Sequence, residues 1–458
     1  MSLGTGNSNM YRLQYFVLVI AKEVKMEVTE KFNRGLGGME KSGASEQEKM
    51  TKSDTTAVRI LSKLATEDED ARAAVARSTN ATEELLSKLA KDKVYTVRLE
   101  IPGNTNVTTE ILSELSEDEK GCVRREVAYS ANATAEILSK LSEDGNQDVR
   151  RGVARNANVS AELLSKLSED KEKYVRTAVA ENANATTEIL FKLSADKEEY
   201  VRTDVAQNAN ATAEILSKLA KDRSYDVRRG VVRNANVSVE LLSKLSEDED
   251  ILVRAAVARK ANATADILSK LAKDKFYVVR QGVAANANAT TEILSKLSEN
   301  DELYVVKAAV AGNVNATVEI LTKLSEDEFS DVRQAVAGNA NTTTEILDKL
   351  SEDKYACVMQ AVARNANATV ELLSKLAKCE NYEVRVAVAE NANVTVELLS
   401  KLSEDEHGRV RAAVARSTNA TAEILSKLAK DRSYAVRAAV ANNAIAATGI
   451  LPEAKKID

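Results

Sequence analysis

"VRRGVARNANVSAELLSKL" runs from Val149 to Leu167, and "VRRGVVRNANVSVELLSKL" runs from Val227 to Leu245. Two stretches so alike in one chain pose a choice between a repeated catalytic device and one structural unit copied many times. The arginine after the valine sets the period. Arg98, Arg124, Arg150, Arg176, Arg202, Arg228, Arg254 and Arg280 are spaced by 26 without a slip. Lys307 follows 27 later, and Arg333, Met359, Arg385, Arg411 and Arg437 resume the step of 26. With Arg72, in an Ala-Arg context, these make fifteen in-phase positions. A block related to Ile-Leu-Ser-Lys-Leu keeps the same beat from Ile60 to Ile424. A fixed period of this size marks a repeat architecture.

Each unit reads as two short helices. In the copy around Thr186, the threonine is an N-cap and Glu188 stands in the first turn, where a carboxylate meets the helix dipole favourably. Ile189, Leu190 and Leu193 follow on one apolar face. Asp196 punctuates a turn, and a second helix carries Tyr200, Val201, Val205 and Ala206, with Asn208 expected as a left-handed stop. Two residues after the arginine most copies have Ala or Gly, which lets neighbouring helices approach closely; Glu100, Glu126 and Asp204 are exceptions. One unit has too few apolar side chains to close a core alone, but stacked units share a continuous one. The expectation is an all-α solenoid of about fifteen two-helix repeats over residues 54–458, with residues 1–53 as a capping or poorly ordered N-terminal segment.

The pattern Val-Arg-x-x-Val-Ala-x-Asn, then Thr, Leu-x-x-Leu and Asp, resembles the leucine-rich repeat variant family. That resemblance implies alternating α- and 3₁₀-helices wound into a right-handed superhelix without strands. The six-residue step from Asp170 to Arg176, Asp196 to Arg202 and Asp222 to Arg228 is also similar to HEAT repeats, where such a pair ties successive units together. Two departures stand out. The family's prolines beside the threonine are absent, and the repeat is slightly longer, so the second helix is expected to be more fully α. Some members carry a cysteine-rich N-terminal cluster domain; Met1 to Ser53 has no cysteine, and that activity does not carry over.

Composition narrows the function classes. The chain has two prolines, no tryptophan and five phenylalanines, too few large aromatics for one thick core. Lys and Arg total 64 against 70 Asp and Glu, and a net charge of -6 points to no general affinity for nucleic acid or membrane. Three scattered cysteines (Cys122, Cys357, Cys379) and a single histidine (His407) predict a reduced, cytoplasmic chain with no metal site and no cofactor. "YFVLVIA" at Tyr15 to Ala21 is too short to span a bilayer and lacks the flanks of a signal peptide, so it reads as a short strand, a capping segment or a mis-called start.

Each candidate residue has a structural reading beside a functional one. The Asp–Arg steps read as local structural pairs, because the extra residue of the 27-residue copy falls before Asp301 and leaves Asp301 to Lys307 at six. The position five after the arginine varies on an outward face: Arg77, Arg155, Arg233, Arg259, Arg364 and Arg416, but Glu181, Glu390, Gln207, Ala285, Gly312 and Gly338 elsewhere. This row is the candidate partner-binding face, for an acidic peptide or phosphates; its structural reading is a solvated face on which charges drift from copy to copy. The asparagine pair, such as Asn182 and Asn184, reads as a stacked ladder in the inter-helix loop. The Asn-Ala-Thr glycosylation match is an accident of that loop chemistry. Pro102 is expected to shorten its helix. Met359 and Cys379 replace an Arg and an Asp in adjacent units, and Cys122 and Cys357 read as tolerated substitutions. Ala447, Gly449 and Pro452 break the pattern where the array stops.

An active site needs unlike groups converging on one point, whereas near-identical units offer one group at intervals on the order of 10 Å. Carboxylate pairs such as Glu169–Asp170 read as solvated turn residues. The unit is therefore a structural one, and no catalytic residue is assigned. The leading expectation is a non-enzymatic scaffold that binds an extended protein or peptide. Nucleic-acid or polyanion binding through the arginine row is the second, opposed by the mild negative charge and the scarcity of outward aromatics. An enzyme-accessory or cofactor-handling subunit is the third.

Overall fold

The computed structural model describes residues 58–443. The segment 1–53 with its Tyr15–Ala21 stretch, and the departures at Ala447, Gly449 and Pro452, lie outside the described residues. Among the described residues every regular element is an α-helix, and the two helices of each repeat alternate along the chain. They are here termed the leucine helix and the arginine helix. Both are α-helical, so the 3₁₀ alternation implied by the resemblance is not the pattern found.

Thr187–Leu193 shows how a leucine helix is built. Thr186 sits in extended backbone and its Oγ1 accepts from the Ile189 N–H at 3.4 Å, as a cap should. Seven residues are too few for a helix to hold alone in water, where about 12 are needed. Tertiary burial supplies the rest. Ile189, Leu190 and Leu193 are buried, and the helix packs on the arginine helices Lys173–Glu181 and Glu199–Gln207. Val175, Val179, Val201 and Val205 meet them from those helices and are wholly buried. The core is therefore a continuous strip between the two helix layers.

The loop after each arginine helix is closed by asparagine, in a way that differs from the left-handed stop expected at Asn208. Asn208 has φ -64 and ψ 134, an extended conformation. Its side chain explains why. Nδ2 donates to the carbonyls of Ala180 and Asn182 in the preceding repeat at 2.7 and 3.0 Å, and Oδ1 accepts from the Asn210 N–H at 2.8 Å. Asn210 in turn donates to the carbonyls of Ala183 and Ala185. The pair thus satisfies backbone oxygens that a helix end leaves open. The same bonds recur at Asn182 and Asn184, so the asparagine of the Asn-Ala-Thr match already spends its amide on the neighbouring repeat. Where Lys260 replaces the first asparagine, its ammonium donates to the equivalent carbonyl of Asn234 and to that of Arg233 beside it.

The small residue after the arginine sits where helices nearly touch. A Cβ added to Gly152 would lie 2.9 Å from the Ala128 Cβ, and one added to Gly230 would lie 3.1 Å from that of Ala206. The described chain falls into two compact units that divide between Glu117 and Asp118. The first holds the Pro102 repeat, whose arginine helix Tyr95–Leu99 has five residues against nine in Gln147–Arg155. Proline lacks the N–H and obstructs the preceding turn, which accounts for the shortening.

Candidate functional site

The arginines of the repeat motif lie at the junctions between units. Nε and NH2 of Arg176 donate to the two carboxylate oxygens of Asp196 at 2.6 and 3.0 Å, while NH1 donates to the main-chain carbonyl of Asp170 at 2.7 Å. Arg202 binds Asp222 and the Asp196 carbonyl in the same way, and Arg228 binds Asp248 and the Asp222 carbonyl. The six-residue step is therefore a side-chain to backbone bond. The carboxylate partner is the aspartate 20 residues on, so Asp170 belongs to Arg150. A guanidinium can do both because its planar fork leaves one nitrogen free after the bidentate contact.

These aspartates are not solvated turn residues, as Glu169–Asp170 was expected to be. The Asp170 side chain is only 8% exposed, and its Oδ1 also accepts from the Glu172 N–H. Burial pushes its pKa up, but the bonds from Arg150 and Glu172 and the nearby guanidinium charges outweigh that, leaving it below the usual 3.8. Glu169 is exposed and pairs with Lys192 across the leucine-helix surface. In the 27-residue copy the added residue lengthens the leucine helix to Thr291–Asn300, and Arg280 still reaches Asp301, now 21 positions away. Lys307 makes a single bond to Asp327. The 20-residue register also explains Met359 and Cys379: they occupy the two halves of one junction pair, so both charges are lost together.

The six arginines of the candidate face, Arg77, Arg155, Arg233, Arg259, Arg364 and Arg416, are all exposed. They do not form a bare basic row. Arg155 pairs with Glu181 at 2.8 Å, Arg77 lies 3.5 Å from Glu100, and Arg364 and Arg416 each lie 3.8 Å from Glu390. Arg259 reaches only the carbonyls of Ala255 and Val278, and Arg233 has no carboxylate partner among the described residues. These two adjacent guanidiniums are the uncompensated charge of the row.

Outward aromatics are more frequent than the sequence suggested. Tyr174, Tyr200, Tyr225, Phe276, Tyr277, Tyr304, Phe329, Tyr355 and Tyr434 are exposed near the starts of arginine helices. Several are flanked by cations: Phe276 lies 5.8 Å from the Arg254 guanidinium and 5.0 Å from Lys275 Nζ, and Tyr355 holds the same relation to Arg333 and Lys354. Phe329 stacks on Tyr304 at 5.1 Å. They stand at the N-cap and the first two positions, where the 3.6-residue periodicity does not mark a side chain as inward or outward; Tyr200, read from the sequence alongside the buried Val201 and Val205, is exposed.

Two clefts accompany irregular copies. One, of about 450 Å³, lies between Ser330–Gly338 and Ala356–Arg364 and is lined by Asp331, Gln334, Gly338, Cys357, Gln360 and Arg364. The other, of about 750 Å³, lies over the lengthened helix and is lined by Glu292, Ser295, Glu299, Thr317, Glu319 and Lys323. Cys122, Cys357 and Cys379 are free thiols, and His407 stacks on Tyr382 while capping its own helix through Nδ1. Among the described residues no cluster of three His, Cys, Asp or Glu side chains is arranged to hold a metal, and no helix is long and apolar enough to cross a membrane.

No protein-family model matches the sequence, nor does any curated protein. Among solved structures the chain is similar to a leucine-rich repeat variant with a novel repetitive structural motif. That match has 26% identity, covers 49% of this chain and 88% of the other, and has a TM-score of 0.39. Importin beta is similar at 12% identity over 84% of this chain and 62% of its own, with a TM-score of 0.34. Kap95p, solved bound to RanGDP, is similar at 11% identity over 90% of this chain and 60% of its own, again at 0.34. The chain spans less than two thirds of the length of these last two. The leucine-rich repeat variant and the two longer chains stand among its structural neighbours, but at these TM-scores the assignment of a helical-repeat solenoid rests on the helix order and packing described above.

Proposed function

We propose that this protein is a non-enzymatic scaffold that binds an extended protein or peptide partner along the exposed face of its arginine helices. The observation that carries the reading is unequal variation within the repeat. The junction groups recur from copy to copy, while the exposed row changes: Arg155, Glu181, Gln207, Arg233, Arg259, Ala285, Gly312, Gly338. A regular frame that presents unlike side chains at intervals on the order of 10 Å suits a ligand that is itself extended. The free cysteines suit a reducing, cytoplasmic setting.

Single-stranded nucleic acid is a second reading, favoured by the exposed tyrosines with interleaved lysine and arginine. Carboxylates such as Glu172, Glu198 and Asp226 stand among those aromatics, which weakens it. Affinity capture from lysate with the full chain, with and without nuclease, tests both. Discrete proteins that survive nuclease, and are lost from a variant carrying Arg155→Glu, Arg233→Glu and Arg364→Glu, support the scaffold. Partners that vanish on nuclease treatment move the assignment to nucleic acid. Partners indifferent to the variant remove this face from the proposal.

A further inference from the structure

Two independent departures from the repeat coincide in the same stretch. The first is at the N-cap of the arginine helix. Apart from Val94 in the Pro102 repeat, upstream copies place polar residues there, Lys120, Asn146, Glu172, Glu198, Ser224 and Asp250, and downstream copies Asn381, His407 and Ser433. Four consecutive copies between them carry Phe276, Leu303, Phe329 and Tyr355. None of the four makes a side-chain cap; Asn146, Asp250, Asn381 and His407 do, while Glu172, Glu198, Ser224 and Ser433 do not. Large apolar groups are among the poorest N-caps, so these copies forgo helix stability. The side chains are not hidden in compensation: they remain 41%, 42%, 38% and 44% exposed.

The second departure is at the other end of the same helices. The outward row, elsewhere Arg, Glu, Gln, Tyr or Asn in this unit, becomes Ala285, Gly312 and Gly338 in three consecutive copies. A Cβ at Gly312 or Gly338 would meet nothing within 4 Å, so no packing demand in the fold explains the missing side chains. Between the exposed N-cap side chains and this cleared strip the helices carry Tyr277, Gln281, Tyr304, Ala308 and Gln334, with Asp331 and Arg364 as charges on the cleft lining. Next to the strip on one side stand Arg233 and Arg259, the two guanidiniums without a carboxylate.

We propose that the arginine helices Tyr277–Ala284, Tyr304–Gly312, Ser330–Gly338 and Ala356–Arg364 form the docking surface for an extended peptide segment of another protein, apolar along Phe276, Leu303, Phe329 and Tyr355 and acidic where it reaches Arg233 and Arg259. The proposal rests on the scaffold reading and names the stretch and the chemistry it takes. The cleared strip admits a peptide backbone close to the helices, and the amides of Gln281, Gln334 and Gln360 can both donate to and accept from it. Exposed aromatics with rigid side chains make efficient contact area. Two uncompensated guanidiniums select acidic side chains and speed encounter.

The test is selection of a random peptide display library on the full chain, followed by binding of the enriched peptides to variants. Enriched peptides should combine acidic with apolar residues. Gly338→Arg should weaken them by roughly tenfold or more, and so should Phe329→Asp. Phe329→Asp exchanges the Tyr304 stack for an N-cap, so its melting temperature should change little while binding falls, an outcome that a purely structural role for Phe329 does not produce. Arg233→Ala with Arg259→Ala should weaken binding by roughly tenfold and flatten its salt dependence. Lys349→Ala, on the leucine-helix surface, should leave binding unchanged. Enriched peptides that bind all variants equally would overturn the docking surface but leave the scaffold reading standing; no enrichment at all would count against both. Self-association abolished by the same variants would assign the surface to a second copy, and oligothymidine binding abolished by them would assign it to nucleic acid; either result overturns the proposal.

Discussion

The junctions between Arg150 and Asp248 are near copies of one another, while those between Arg280 and Cys379 are not. In the first region Arg150, Arg176, Arg202 and Arg228 each make a bidentate contact with the aspartate 20 residues on, with Nε bonds of 2.6 to 2.7 Å. In the second the bond stretches over 21 positions, falls to a single contact from Lys307, returns at Arg333 and vanishes at Met359. The fold therefore tolerates the loss of a whole rung. A charge left alone in a partly buried junction costs more than a missing pair, and the chain removed both partners at once. The same region carries the apolar N-caps and the stripped outward row, so relaxation of the frame and specialisation of the surface occur together.

The comparison breaks most strongly if half a rung is removed where the ladder is regular. Arg176→Met leaves the Asp196 carboxylate, 8% exposed, without its partner, and the expected loss is about 3 to 5 kcal/mol. Adding Asp196→Cys reproduces the natural Met359–Cys379 arrangement and should recover most of it. Because repeat arrays open locally, amide hydrogen exchange across Asn182 to Asn208 is the measurement to make, with chemical denaturation beside it. The converse change is expected to be smaller. Met359→Arg places a guanidinium opposite Cys379 and should cost about 1 to 2 kcal/mol, since a long arginine can still reach carbonyls or solvent. Cys379→Asp in the same chain should reverse that loss.

Much of this frame was legible in the sequence, and the reasons it was incomplete are physical. The period of 26 and the alternation of Leu-x-x-Leu with Val-Arg-x-x-Val-Ala report burial, and burial is periodic. The partner of Arg176 was not legible, because the equivalents of Asp170 and Asp196 stand in nearly every copy and a repeat cannot say which of two equivalent carboxylates a guanidinium reaches. Only Met359 with Cys379 breaks that degeneracy, and it does so by pointing to the step of 20. Asn208 carries the residue type of a left-handed stop, but its amide is used between repeats and holds it extended. Phe276, Leu303, Phe329 and Tyr355 escaped notice because each lies at a helix boundary, where no periodicity marks a side chain as inward or outward.

A second contrast lies between carboxylates. Asp170 and its equivalents at Asp144, Asp196, Asp222, Asp274 and Asp405 have pKa values lowered by hydrogen bonds that outweigh burial. Their contribution is fully present above the unfolded value of 3.8 and is lost as pH falls through the lower folded values. Asp204 is the opposite case. It occupies the position where most copies have Ala or Gly; burial and the charge of Glu181 push it up to about 6, against the opposing charge of Arg155. The folded state then holds its proton more tightly, so Asp204 penalises folding increasingly as pH rises from 3.8 through about 6. Asp204→Ala should therefore stabilise at neutral pH, by on the order of 1 kcal/mol once solvent screening of this half-buried group is allowed for. The gain should fade towards pH 4, and thermal melts across that range read it directly. A gain that stays constant with pH would show that the cause is steric.

The finest contrast is between two glycines. In an open helical position Gly→Ala gains up to about 1 kcal/mol through backbone entropy. Gly338 closes its helix with open space around it, so Gly338→Ala should stabilise, by about 0.5 kcal/mol at such a terminal position. Gly152 lies inside its helix, where the full gain would be available, yet its new Cβ would stand 2.9 Å from that of Ala128 and 3.3 Å from the Arg125 carbonyl. Other junctions accept alanine here, as at Ala178, so the two helices can separate, but doing so strains the rungs at both ends of the helix. Gly152→Ala is therefore expected to be neutral or to lose up to about 1 kcal/mol. Equal stabilisation by both substitutions would mean that helix contact does not set the spacing of this junction, leaving the Arg–Asp and asparagine bonds to do so alone.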